Sequence, residues 1–143
     1  MRISDILRTK SGGAAVVSIG PDATVTELVA MLAEHKIGAV IVTGGADVIG
    51  IVSERDVVRR LNDEGADVLG AAVSSLMTSP VITCAPSDHV DAIAETMTEH
   101  RFRHLPVVDD GQLVGLVSIG DVVKNRIREL EKDRSQLEQY VTG

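Results

Sequence analysis

The sequence predicts an α+β fold. Two similar halves, each strand–helix–strand–strand–helix, pack about a pseudo-twofold axis, and one long helix closes the chain. Three observations predict this. The first is a repeat: over about forty residues, from Ile19 and from Cys84, two stretches align without a gap at a spacing of 65. Pro21/Pro86, Val25/Val90, Glu34/Glu99, His35/His100, Gly50/Gly115, Ser53/Ser118 and Asp56/Asp121 are identical pairs. A supersecondary unit of this size leaves a sheet face for its twin to cover. The second is a switch within each copy from helical to strand patterning. The third lies at the end, where Val123, Ile127, Leu130, Leu137 and Val141 follow the 4-3-7-4 spacing of a coiled-coil seam, with Arg134 at one seam position.

Taken in order, Ile3, Ile6 and Leu7 make a short amphipathic turn, and Thr9 to Gly13 is a loose segment ending in a glycine turn. Ala14 to Ile19 is a short apolar strand. Pro21-Asp22-Ala23-Thr24 starts a helix whose buried face is Val25, Leu28, Val29, Leu32 and Ala33. His35-Lys36-Ile37-Gly38 closes it, with cations in the last turn and a glycine to stop it. Ala39 to Val42 and Val48 to Val52 flank Gly44-Gly45-Ala46-Asp47 as a hairpin, and a helix follows from about Glu54 to Leu61. Asn62 to Gly70 is a polar connection with an extra turn.

The programme then restarts. Val73-Ser74-Ser75-Leu76-Met77 echoes Ile3-Ser4-Asp5-Ile6-Leu7, Val81 to Cys84 is a strand, and Pro86-Ser87-Asp88 opens a helix bearing Val90, Ile93, Ala94 and Met97. Leu105 to Val108 and Leu113 to Val117 flank the turn Asp109-Asp110-Gly111. The division expected is 1–70 for the first repeat with its N-terminal segment, 71–128 for the second, and 129–143 for a helical extension.

The chain has 143 residues, enough to bury roughly 68–70% of its unfolded surface without staples. Phe102 and Tyr140 are its only aromatics of the Phe, Tyr and Trp class, so the core is aliphatic. A net charge of −7 argues against a general nucleic-acid binder or a binder of anionic membranes. Cys84 is the sole cysteine and reads as a small buried hydrophobe in a reducing, cytoplasmic setting. No apolar run approaches the roughly 20 residues of a membrane span, and the N-terminus lacks a signal-peptide core.

The chemistry sits in the motif Gly50-Ile51-Val52-Ser53-Glu54-Arg55-Asp56, repeated as Gly115-Leu116-Val117-Ser118-Ile119-Gly120-Asp121. In each, an apolar strand ends at a serine suited to cap the next helix. That end of a helix also favours a phosphate. An aspartate one turn in can accept two hydrogen bonds from the vicinal hydroxyls of a ribose. The plainer reading makes both pairs ordinary caps, worth about 0.3–1 kcal/mol each. His100, Arg101, Arg103 and His104 are either a solvated helix end or a phosphate clamp, arginine being the better fork for phosphate oxygens. His35, His89, His100 and His104 lack ligand spacing for a metal. Cys84 has no neighbouring base, Ser53 and Ser118 lie outside a nucleophile elbow, and the glycine pairs match no phosphate loop.

Together these residues resemble a tandem pair of cystathionine β-synthase (CBS) domains, a Bateman module. The resemblance rests on the two repeated motifs, on His100-Arg101-Phe102-Arg103-His104-Leu105-Pro106-Val107-Val108-Asp109 and on the linker Leu76-Met77-Thr78-Ser79-Pro80-Val81, and it runs from about Ile3 to Ile127. It implies a non-enzymatic regulatory module that needs no cofactor. Its ligand would be of adenosine type: AMP, ADP, ATP, S-adenosylmethionine or a dinucleotide such as NAD. By the same resemblance Asp56 and Asp121 hold ribose hydroxyls, and Ser53 and Ser118 meet ribose or phosphate. Backbone near Ser18-Ile19-Gly20, Gly38-Ala39-Val40, Thr83-Cys84-Ala85 and His104-Leu105-Pro106 lines adenine slots, and Arg55, Arg101 and Arg103 meet phosphates.

The two clefts are not chemically equal. The first repeat has Gly38-Ala39-Val40-Ile41 where the second has Arg103-His104-Leu105-Pro106, and Glu54-Arg55 where the second has Ile119-Gly120. The regulated target is expected to be another protein or to lie beyond this sequence. A homodimer is expected through helix faces around Leu28/Leu32 and Ile93/Met97, or beside Val57/Leu61 and Val122/Val123, with the final helix contributing. If that helix simply lies on its own domain, Val123 to Leu130 are its packed face. The rival reading is a ligand-free structural or interaction module acting through dimerisation and that helix. A small metal-dependent enzyme is a third reading.

Overall fold

A computed structural model of the chain describes residues 1–10 and 16–142. The first half contains α1 (Ile3–Thr9), β1 (Ser18–Ile19), α2 (Val25–His35), β2 (Ala39–Gly44), β3 (Asp47–Ser53) and α3 (Glu54–Glu64). Two 3-10 turns, Gly65–Gly70 and Val73–Ser75, lead to α4 (Val90–His100), β4 (His104–Asp109), β5 (Gln112–Ser118) and α5 (Ile119–Thr142). One sheet has the order β1-β2-β3, with β1 parallel and β3 antiparallel to β2, and the other is the antiparallel pair β4-β5. The α+β architecture with a long final helix is as the sequence predicts.

The repeat reaches into backbone detail. Both hairpins shift register at the same place, between Val42 and Thr43 and between Val107 and Val108. The matching helices α2 and α4 both end on a non-glycine residue in the left-handed region, Lys36 at φ 54° and Arg101 at φ 57°. The expected stop at Gly38 is therefore replaced by a closure two residues earlier. There Ile37 N–H donates to Leu32 O and Phe102 N–H to Met97 O, and this pairing supports the strained residue between them.

The expected strand over Val81 to Cys84 shrinks to one bridge. Thr78 pairs with Ile51 of the first sheet, whereas Cys84 pairs with Val107 of the second. The chain crosses from one sheet to the other between Thr78 and Cys84, so it meets β4 only at Cys84. Of the described part of the strand expected from Ala14, Ser18–Ile19 is strand and Val16 and Val17 are not. Ala14, Ala15 and the glycine turn at Gly12-Gly13 lie outside the described residues.

The two cores are crossed. Ile3 and Ile6, at 0% and 1% exposure, pack with Val90, Met97, Leu105 and Val117 of the second half. Val73 and Leu76 pack with Val25, Leu28 and Val40 of the first. Backbone bonds fix each exchange. Ile3 N–H donates to Asp88 O (2.9 Å) and Ser4 N–H to Pro86 O (2.9 Å), while Val73 N–H donates to Ala23 O (2.8 Å). The echo between Ile3–Leu7 and Val73–Met77 thus marks two entry segments, each completing the other half's core. A boundary at residue 70 follows the order of repeats along the chain, not the division of cores.

Burial also corrects the expected outer faces. Leu28, Leu32, Ile93 and Met97 are buried in the cores and form no outer surface. Val57 and Val122 point inward too, leaving Val58 and Leu61 on α3 and Val123 and Ile127 on α5 exposed. Since Val123, Ile127 and Leu130 are 50%, 51% and 55% exposed, α5 does not rest on its own domain by that face. It is held instead by Val122 and Asn125, both 4% exposed.

Candidate functional site

Ser53 ends β3 and caps α3 in a reciprocal arrangement. Asp56 N–H donates to Ser53 Oγ (3.3 Å), while Ser53 N–H and Oγ–H reach Asp56 Oδ2 at 2.8 and 2.9 Å. The plain reading of this pair as a capping box is thus realised. It does not exclude the ligand reading, because no described residue donates to Asp56 Oδ1 and both side chains line a cleft.

That cleft has a volume of about 250 Å3 and lies between the β2 and α3 starts of one half and the α4–β4 connection of the other. Its walls include Gly38, Ala39, Ser53, Asp56, Phe102 and His104, together with four arginines: Arg55, Arg59, Arg101 and Arg103. None of the four has an ion-pair partner among the described residues. The sequence places Arg55, Arg101 and Arg103 here but misses Arg59, whose signal is its position one turn beyond Arg55 on the same helix face. A narrow crevice lined by Ile51, Thr78, Val81, Ile82, Phe102 and Leu105 adjoins one side. A groove along α3, lined by Glu54, Arg55, Val58 and Arg59, adjoins the other.

The remaining predicted residues stand apart from this cleft. Thr83 is exposed and Pro106 is buried within β4, where its carbonyl accepts from Cys84 N–H (2.9 Å); neither lines the cleft. Ser18–Gly20 do not line it either. Ser118 and Asp121 repeat the capping box, with Ser118 N–H to Asp121 Oδ2 at 2.9 Å and Asp121 N–H to Ser118 Oγ at 3.1 Å. Here, however, the carboxylate already has a cation: Lys10 Nζ lies 2.8 Å from Asp121 Oδ2 and donates to Leu116 O at 2.6 Å. The equivalent carbonyl in the first half, Ile51 O, accepts from Thr78 N–H (2.8 Å). A lysine side chain thus replaces a linker peptide, a local departure from pseudo-symmetry. Burial pushes the Asp121 carboxyl up, but the bonds from Lys10 and Ser118 outweigh it and hold the group below the usual carboxylate range.

The basic cluster divides. His100 stacks on Phe102 with ring centroids 5.8 Å apart, and does not line the cleft. His104 does, but burial, then the nearby Lys10 ammonium, lowers its pKa below 6.5, so it is neutral at pH 7 and adds no charge. Linkage gives the sign. The unfolded chain takes up a proton near pH 6.5 while the folded chain resists, so His104's contribution is full above that value and falls as pH drops towards the folded pKa. Denaturation measured at about pH 7.5 and about pH 5.5 is expected to show lower stability in acid, and His104→Gln to shrink the difference. An equal loss in the variant would contradict the assignment. Burial, then the Asp88 carboxylate, pushes the Cys84 thiol up to about 11, so it carries no thiolate at neutral pH.

Among the described residues no group of three His, Cys, Asp or Glu side chains is placed to hold a metal ion. No described helix is long and apolar enough to cross a membrane.

Comparison with known proteins agrees with this architecture. The CBS domain profile matches twice, over residues 3–63 and 73–128. The mitochondrial CBS domain-containing protein CBSX3 of Arabidopsis thaliana is 32% identical over 148 aligned residues, covering 99% of this chain and 72% of that protein. The crystal structure of a CBS-domain containing protein from Agrobacterium tumefaciens superposes with a TM-score of 0.82 at 43% identity, over 88% of this chain and 99% of the other. A CBS domain protein from Pyrobaculum aerophilum, solved in complex with AMP, superposes with a TM-score of 0.74 at 31% identity, over 85% and 89%. The chain belongs to the CBS domain family, as a tandem pair of CBS repeats whose entry helices are exchanged between the two cores.

Proposed function

We propose that the chain is a regulatory module that binds an adenosine phosphate in the cleft at Ser53 and Asp56. The observation that carries this is the convergence of Arg55, Arg59, Arg101 and Arg103, none ion-paired among the described residues, on one cleft of a chain with net charge −7. Four guanidiniums in an acidic protein are held together most favourably by a ligand carrying several negative charges. The apolar side chains of Ile51 and Phe102 in the cleft wall suit a purine face, Asp56 suits the ribose, and the arginines suit phosphate. The AMP complex of the Pyrobaculum relative supports the same class of ligand. S-adenosylmethionine carries no phosphate and a sulfonium cation, so this electrostatic setting disfavours it.

The ligand would bridge residues of both halves, and a ligand that prefers one arrangement of the halves shifts the population towards it. That shift is the regulatory output, read by a partner protein. A thermal-shift panel of AMP, ADP, ATP, NAD and S-adenosylmethionine tests the reading. At about 100 times its dissociation constant a ligand adds roughly 2.7 kcal/mol of stability. Stabilisation by the adenine phosphates and not by S-adenosylmethionine is expected. Stabilisation by none of them would leave the interaction-module reading in its place.

A second copy of the chain is the proposed cover for the exposed apolar residues Val58 and Leu61 on α3 and Val123 and Ile127 on α5. Val58 and Val123 are repeat equivalents, so the pseudo-twofold axis presents a matched pair of apolar helices to one partner surface. Each square ångström of apolar area hidden contributes about 25 cal/mol. Light scattering is expected to give twice the 15.1 kDa chain mass. Val58→Glu with Val123→Glu is expected to give the monomer, and a wild-type mass of one chain would contradict the proposal.

A further inference from the structure

A second cavity, of about 310 Å3, lies between α1 and the first turns of α5. Thr9, Lys10, Asp121, Lys124, Asn125 and Arg128 line it above Ile6. Its only carboxylate among the described residues, Asp121, is already engaged by Lys10 and by Ser118 N–H. Lys124 and Arg128 stand one turn apart on α5, and neither has an ion-pair partner among the described residues. With Lys10 and Asp121 offsetting one another, the unpaired cations Lys124 and Arg128 leave this cavity locally positive in a chain of net charge −7.

The base of the site is fixed. Asn125 is 4% exposed and its Nδ2 donates to Asp121 O at 2.9 Å, while Thr9 Oγ1 donates to Ile6 O at 2.9 Å. The repeat shows that the charge is not a general feature of the architecture. Sixty-five residues earlier, the counterparts of Lys124, Asn125 and Arg128 are Arg59, Arg60 and Asp63. Arg60 is tied to Glu64 (2.7 Å) and to Ser75 O (2.8 Å), Asp63 stands where Arg128 does, and Arg59 lines the nucleotide cleft, so the first half does not gather the same cations into a matching cavity.

From this we infer that the α1–α5 cavity is a second anion site, separate from the nucleotide cleft, which takes a small multiply charged phosphate without a nucleoside. The Lys124 ammonium supplies rotatable donors and Arg128 a planar fork, the combination that suits phosphoryl oxygens. A nucleoside is disfavoured because, among the described residues, Ile6 is the only apolar side chain in the wall and no aromatic lines it, and because Asp121 Oδ2 is held by Lys10. The inference stands independently of the nucleotide reading.

Titration calorimetry of the full chain with inorganic pyrophosphate tests it, using Lys124→Gln/Arg128→Gln and Arg101→Gln/Arg103→Gln as paired variants. The wild type is expected to bind one pyrophosphate per chain in the presence of AMP at a concentration that saturates the cleft. The α5 variant is expected to lose at least tenfold in pyrophosphate affinity and to keep its AMP affinity. The Arg101/Arg103 variant is expected to show the converse. Both α5 residues are exposed, so circular dichroism of that variant is expected to match wild type. No heat with millimolar pyrophosphate, displacement of pyrophosphate by AMP, or unchanged affinity in the α5 variant would overturn the inference. If AMP fails to bind while pyrophosphate binds and is lost in the α5 variant, the nucleotide reading falls and this one stands.

Discussion

Asp56→Ala is expected to weaken AMP binding about ten- to a hundredfold, and Arg103→Gln to do the same while leaving adenosine affinity unchanged. A hydrogen bond to a charged group is worth about 1.5–3 kcal/mol, which converts to that range. The two variants separate the two ends of the ligand. Asp56 lines the cleft at the capping box, whereas Arg103 lies across it on the other half, just before β4. Loss of the Asp56 carboxylate also removes one arm of the box, at about 1 kcal/mol of stability, which leaves the fold intact. Calorimetry with AMP and adenosine on each variant reads both effects. If Asp56→Ala binds as tightly as wild type, its role is confined to the cap. Asp121→Ala, by contrast, is expected to leave AMP binding unchanged, since Asp121 does not line this cleft and is engaged by Lys10.

Ile6→Ala is expected to destabilise the protein by about 2–5 kcal/mol, a large part of the 5–15 kcal/mol that holds an ordinary domain together. Ile6 is 1% exposed within a core whose other buried members, Ile3 apart, come from residues 84–122. Hydrogen exchange locates the effect. Protection is expected to fall first in α4, β4 and β5, far along the chain from the substitution, and only afterwards in α2 and β2. Loss of protection confined to α2 and β2 would contradict the crossed cores. Val73→Ala is the mirror experiment and is expected to expose the first half.

Much of this was legible in the sequence because the repeat supplies the same information twice. Ser53/Ser118 and Asp56/Asp121 announce their capping boxes by position alone, and the 65-residue offset carries even the register shifts of the two hairpins. Local patterning could not show which half an entry segment would complete. Ile3 and Val73 have the same apolar character, and only the three-dimensional crossing assigns them. The strand at Val81 failed because that stretch is shared between two sheets, a long-range demand with no local signal. The left-handed Lys36 and Arg101 carried none either, since the pairing of Ile37 with Leu32 and of Phe102 with Met97 sets them.

The cleft shows the same limit. Arg55, Arg101 and Arg103 were legible as cations beside a repeated motif. Arg59 required helix periodicity, and the occupation of Asp121 by Lys10 required a contact between residues far apart in the chain. The sequence already made the two clefts chemically unequal through their flanking residues, but the engagement of the second motif's carboxylate became visible only in the fold.

The central claim is that one adenosine phosphate binds per chain, at Asp56 and under the four arginines. Calorimetric titration of the wild-type chain with AMP tests it most directly. The expected result is a single class of site with a stoichiometry of one per chain, affinity at least tenfold above that of adenosine, and a loss of that advantage in Arg101→Gln/Arg103→Gln. A stoichiometry of two, equal affinity for AMP and adenosine, or no heat at millimolar AMP would contradict it.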